Sequence, residues 1–141
     1  LFYEFGYTKI ITTLNYYFMP LKTVLIIDDD NRNIFALKAV LKAKGFDCLS
    51  ATSAQEGFSL IENKEKVDIV LMDMMMPDMD GYQAISAMKK SGHMQNIPVL
   101  AVTAQAMVGD RERCLSAGAS GYVSKPINVD ELLVQIEKFT S

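Results

Sequence analysis

The sequence predicts an α/β protein, a doubly wound five-stranded parallel sheet with helices on both faces. Two observations carry that prediction. Five short apolar runs alternate strictly with five stretches in which apolar residues recur at helical period. The connections between them are short, which suits parallel strands joined through crossover helices. A third observation concerns chemistry: four of the apolar runs end in an acid, a hydroxyl or a lysine, at the rim where such sheets keep their sites.

Taken in order, residues 23–27 read as a buried strand. Ile34, Leu37, Val40 and Leu41 then recur with helical period up to Gly45, a C-cap signal. A weaker strand spans 46–51. Ser53 with Glu56 three residues on forms a capping box that opens a helix to Asn63. Residues 67–72 are the most continuously apolar strand and are therefore expected at the centre of the sheet. A loop from Pro77 to Gly81 leads to a third helix, marked by Tyr82, Ile85 and Met88 and ending near Ser91-Gly92. Residues 97–102 read as the fourth strand, 106–117 as a helix stopped by Gly118, and 120–123 as a short fifth strand. Asn128, with Glu131 at the third position, caps a last helix bearing Val129, Leu132, Leu133 and Ile136 on one face.

At 141 residues the chain suits one domain with one substantial core. Half the residues are apolar, yet no uninterrupted apolar stretch approaches the roughly 20 residues of a membrane helix, so no membrane partner is expected. The net charge is −3 and lysines are scattered among acids, with no basic stripe to grip nucleic acid directly. Cys48 and Cys114 lie far apart and lack metal-ligand spacing, which points to reduced structural thiols and a cytoplasmic setting. Leu1–Phe18 is aromatic-rich, follows no clean period and lacks the features of a signal peptide. The sequence is thus divided into an N-terminal extension at 1–18, disordered or not native to the domain, and the domain itself at 19–141; Met19 suits an ordinary start leading into the first strand.

The residues that close the strands are the acids Asp28-Asp29-Asp30 after Val24–Ile27, Asp73 after Val67–Met72, Thr103 after Val99–Val102, and Lys125-Pro126 after Tyr122–Ser124. Each alone has a plain explanation: an acid cluster favouring a helix N-terminus, or ordinary loop residues. Their joint occurrence on four strands of one sheet is far harder to explain that way. The combination resembles the receiver domain of two-component response regulators, of the chemotaxis-regulator kind, from about Leu21 to Thr140.

That resemblance implies the flavodoxin-like strand order 2-1-3-4-5, which brings strands 1 and 3 together at the switch point. Asp28 and Asp29 then converge on Asp73. Three converging carboxylates repel one another, and a hard divalent cation such as Mg²⁺ answers that repulsion with oxygen coordination. The implied ligands are Asp29, Asp73, Asp28 directly or through water, and the backbone carbonyl of Met75. Asp73 is the implied phosphoacceptor, since a carboxylate can act as a nucleophile toward phosphorus. Lys125 neutralises the transferring oxygens, Thr103 donates a hydrogen bond to one, and Pro126 suggests a cis peptide that aims the lysine. Thr103 and Tyr122 form the implied switch, read out on the face made by helix 4, strand 5 and helix 5. Met75 and Gln105 flank the path of hydrolytic water, and an apolar Met75 suggests slow self-dephosphorylation.

The resulting expectation is a signalling switch, not a metabolic enzyme. It takes a phosphoryl group from a sensor histidine kinase or histidine phosphotransfer protein, acts on a downstream effector protein, and has a phosphorylation-dependent homodimer as a further option. The segment 101–119 is also like receivers fused to hybrid kinases, so a stand-alone regulator and a hybrid-kinase fragment are both open, with stand-alone preferred. A partner-binding pseudo-receiver would lack part of the site. A haloacid-dehalogenase phosphatase would need a second acid where Met75 stands, and a flavodoxin would not place acids in its phosphate loop. The methionines Met72, Met74, Met75, Met76 and Met79 could suggest a Cu(I) site, but their interleaving with Asp favours core and loop filling. His93, the only histidine, reads as a solvated loop residue, and Lys89-Lys90 as a helix end suited to the helix dipole.

Overall fold

The computed structural model describes residues 21–63, 65–77, 79–104 and 107–141; the expectation for residues 1–18, and Gln105, lie outside them. Among the described residues ten elements alternate: β1 Thr23–Ile27, α1 Asn31–Ala43, β2 Asp47–Ala51, α2 Ala54–Glu62, β3 Ile69–Asp73, α3 Gly81–Lys90, β4 Val99–Thr103, α4 Asp110–Ala117, β5 Gly121–Ser124 and α5 Val129–Thr140. The strands form one parallel sheet in the order β2-β1-β3-β4-β5, so the flavodoxin-like expectation holds.

Strand burial explains the order. Every residue of β1, β3 and β4 is buried, as expected for strands covered on both faces. β2 and β5, which are half-exposed, take the edges. Side chains alternate across the sheet and divide the core in two. On one face Val24, Ile26, Ile69, Leu71 and Leu100 pack with Ile34 and Leu41 of α1 and Leu132 and Ile136 of α5. On the other, Leu25, Ile27, Val70 and Met72 pack with residues of α2, α3 and α4, among them Ala54, Ile85, Met88 and Cys114. Each fully buried aliphatic side chain contributes about 1.5–3 kcal/mol of transfer free energy.

The helix ends follow their local chemistry. The α1 C-cap is Lys44, with Gly45 beyond it at φ +92°, so that the Phe46 N–H reaches the Leu41 carbonyl at 3.0 Å. At α2, Ser53 Oγ accepts from the Glu56 N–H at 3.1 Å, while the Glu56 carboxylate reaches back to the N–H and hydroxyl of Thr52. Asn128 caps α5 through the Glu131 N–H at 3.2 Å.

One boundary departs substantially from the sequence reading. The fourth helix begins at Asp110, not at 106, because Gly109 sits at φ +88° and a left-handed residue cannot lie inside a right-handed helix. Its other end, Gly118 at φ +117°, is where the sequence places it. The strand limits shift by one or two residues. Val67-Asp68 precede β3, where Asp68 instead anchors the β1 N-terminus by accepting the Thr23 N–H at 2.7 Å.

The loop after β3 turns into α3 through a close approach. A Cβ on Gly81 would lie 2.8 Å from Met74 Cα and 2.7 Å from its sulfur, and the backbone atom cannot swing aside. Gly81→Ala is therefore expected to destabilise the fold by about 1–3 kcal/mol, measured as a lower urea midpoint with an unchanged slope.

Candidate functional site

The site lies at the C-terminal rim of β1, β3, β4 and β5. Pairing of Ile27 with Met72 sets the ends of β1 and β3 side by side, so the residues that follow them emerge together. Asp28 is 4% exposed, and its backbone N–H still reaches the Ala51 carbonyl of β2 at 3.1 Å. Its carboxylate accepts from the Asp30 N–H at 2.8 Å and the Asn33 amide at 3.4 Å. Asp29 is exposed, and Asp73, the last residue of β3, is 4% exposed.

Oxygens of Asp28, Asp29 and Asp73 all lie within 4.8 Å of one another, an arrangement that could hold a metal ion. Asp30 stands apart from this cluster: it caps α1 through the Arg32 N–H at 2.9 Å and pairs with the Arg32 guanidinium at 3.0 Å.

Lys125 supplies the opposing charge. Its Nζ lies 3.6 Å from Asp73 Oδ1 and 3.7 Å from Asp28 Oδ2. The Lys125–Pro126 bond is cis, as the resemblance implied. The Lys125 N–H donates to the Thr103 carbonyl at 2.8 Å, which ties the end of β5 to the end of β4. Thr103 is 1% exposed. Met75 is 48% exposed, and its N–H donates to Asp73 Oδ1 at 3.1 Å.

Tyr122 is half-buried on β5, with its hydroxyl on the Asp110 carboxylate at 3.3 Å. The structure thus brings Asp28, Asp29, Asp73 and Lys125 into one cluster with Thr103 and Met75 at its edge, while the Tyr122 hydroxyl engages α4.

Burial raises the Asp73 carboxyl above its ordinary value, and the nearby Asp28 charge adds to the rise. The Met75 N–H and Lys125 act the other way and do not cancel it. The cluster sets three carboxylates against the Lys125 ammonium. It also has access: a cleft of about 230 Å³ opens beside Asp29, walled by Thr52, Ser53, Pro77 and Met79. A second, of about 390 Å³, runs between α1 and the start of α5 to Asp28 and Lys125.

Two residues escaped the sequence reading. Asn33 projects from the first turn of α1, and its spacing of five from Asp28 carries no motif. Asp110 is a buried carboxylate whose partners come from α3 and β5, so no local pattern could have found it.

Residues 24–137 match the profile of the response regulator receiver domain. The polar-differentiation response regulator DivK of Brucella anthropi is 32% identical over 121 residues, covering 86% of this chain and 97% of that protein. A CheY-like response regulator receiver domain protein from Methanospirillum hungatei superposes with a TM-score of 0.75 at 33% identity, over 84% of this chain and 93% of that one. The receiver domain of a Pseudomonas aeruginosa sensor histidine kinase gives 0.74 at 27% identity, over 86% and 98%, and has a magnesium ion coordinated in its active site cleft.

Removing one of the crowded charges has a measurable consequence. With a chelator present, Asp73→Asn is expected to raise Tm by about 2–5 °C, because the amide keeps an acceptor for the Met75 N–H and loses the repulsion. An unchanged or lower Tm in a thermal melt would contradict the charge imbalance.

Proposed function

This chain belongs to the response regulator receiver domain family of two-component signalling, and from that premise we propose that Asp73 accepts a phosphoryl group from a phosphohistidine in a Mg²⁺-dependent reaction. One observation carries the reading: an ammonium 3.6 Å and 3.7 Å from two carboxylates of a three-carboxylate cluster at adjoining strand ends. Receivers are signalling switches, and the chemistry follows from that geometry.

An Asp73 oxygen attacks the phosphorus, forming the P–O bond as the P–N bond to the donor imidazole breaks. The electron pair leaves on the imidazole nitrogen, which then takes a proton. Phosphoryl transfer depends on positioning and charge stabilisation more than on covalent assistance. The Met75 N–H and the cluster fix the Asp73 carboxylate, Lys125 offsets charge on the transferring oxygens, and the Thr103 hydroxyl donates to one of them. Asp28, Asp29, Asp73 and the Met75 carbonyl are the residues that would hold Mg²⁺. Their all-oxygen, acidic character fits a hard divalent cation. When bound, Mg²⁺ supplies positive charge to the phosphoryl oxygens and to the carboxylates.

The donor is a sensor histidine kinase or a histidine phosphotransfer protein. The readout is the face of α4, β5 and α5, where Leu115 and Val134 stand exposed, suited to a downstream effector or to a second copy of the chain. Among the described residues no helix is long and apolar enough to cross a membrane. Met75, half-exposed beside the acceptor, shields the phosphoryl group from water.

Two outcomes are expected. Incubation with Mg²⁺ and a small-molecule phosphodonor should add one phosphoryl group, about 80 Da in intact mass. Asp73→Asn should abolish the gain, and a folded protein that gains nothing overturns the reading. Met75→Asn should shorten the half-life of the phospho-form several-fold in a timed decay, and an unchanged half-life removes Met75 from that role.

A further inference from the structure

Asp110 opens α4 and is 8% exposed, yet the site chemistry makes no use of it. A buried carboxylate in an otherwise apolar layer is costly unless each oxygen finds a donor. Here both do. Oδ1 accepts from the Tyr82 hydroxyl of α3 at 2.5 Å, and Oδ2 accepts from the Tyr122 hydroxyl of β5 at 3.3 Å. The Tyr82 ring is itself held, with the Arg113 guanidinium 4.0 Å above its centroid. Burial and the Asp110 carboxylate push the Tyr82 phenol far up, so it stays a proton donor. The Tyr122 main chain is held separately by Gln135, whose amide donates to its carbonyl at 2.9 Å. The Tyr122 side chain packs against the core layer that includes Ile85 and Cys114, and its hydroxyl meets Asp110.

We propose that Asp110 is a positioning residue, a carboxylate latch that Tyr82 anchors and that holds the switch tyrosine Tyr122 in the resting state. The inference rests on the receiver reading above and adds a regulatory part to that site. The latch itself is the Tyr122–Asp110 bond. Any state in which the ring moves must give it up, so the bond biases the two-state equilibrium toward rest. The bond to Tyr82 keeps the carboxylate in place when the bond to Tyr122 opens. A phosphodonor that reacts with the switched state then reads the strength of the latch as a rate.

The test compares four full-length proteins, wild type, Asp110→Asn, Tyr122→Phe and the double variant, by the rate of phosphorylation from a small-molecule donor with Mg²⁺. Each single variant should react roughly three- to tenfold faster, the effect of losing a hydrogen bond to a carboxylate. The double variant should be no faster than the faster single one, because both break the same bond. Multiplying effects overturn the latch, as do unchanged rates accompanied by a lower Tm, which is the signature of a purely structural contact. If Asp110→Asn does not fold, Tyr122→Phe decides alone, and an unchanged rate overturns the proposal. A wild type that gains no phosphoryl group removes the receiver reading instead, and the latch with it, so the two failures are told apart.

Discussion

Repulsion among Asp28, Asp29 and Asp73, whose oxygens lie within 4.8 Å of one another, is the constraint around which the rest is arranged. Two unit charges 4 Å apart interact by about 4 kcal/mol at the effective dielectric of a protein surface, so three like charges hold a large fraction of a domain's net stability. Lys125 meets two of them and offsets part of that cost. One positive charge against three negative still leaves a deficit, and burial first, with the Asp28 charge after it, holds the Asp73 carboxyl above its ordinary value. Only a rigid frame can hold such a cluster together. The continuously buried strands β1 and β3, paired from Val24–Ile69 to Ile27–Met72, provide it. Stability sacrificed there becomes affinity for whatever brings positive charge, and a reason for the site to respond when its charge changes.

The connection from site to surface follows the sheet. The Lys125 N–H bonded to the Thr103 carbonyl means that β4 and β5 carry their functional residues as one unit. Tyr122 lies three residues before Lys125 on the same strand and meets α4 through Asp110. β4 adjoins the strand that ends in Asp73, and β5 meets the helix whose Leu115 is exposed, so a shift at one strand end meets close-packed neighbours. Packed cores respond to such shifts by moving between discrete arrangements, because close packing resists continuous deformation.

Much of this was legible in the sequence, for identifiable reasons. The alternation of apolar runs with helical periods predicted the five strands and five helices of the described residues, and the largely apolar character of the third run pointed to β3 at the centre of the sheet. The capping residues Ser53 and Asn128 act locally and could be read locally. Composition and period did not yield the strand order; the resemblance did, and with it the convergence of Asp28 and Asp29 on Asp73. What stayed hidden was non-local or conformational. Met107-Val108 prolong the apolar pattern ahead of α4, and only the positive φ of Gly109 shows that the helix starts later. Asp110 carried no signal in the sequence because Tyr82 and Tyr122 stand 28 and 12 residues away. The acid run after β1 read as one cluster, yet Asp30 turns outward to cap α1.

The most direct test of the account is where the phosphoryl group goes. After phosphorylation from a small-molecule donor, borohydride reduction converts an acyl phosphate on aspartate to homoserine, and peptide mass mapping locates it. The account predicts homoserine at position 73 and at no other aspartate. Reduction at position 28 or 29, or a phosphoryl group that resists borohydride and maps to His93, would contradict it.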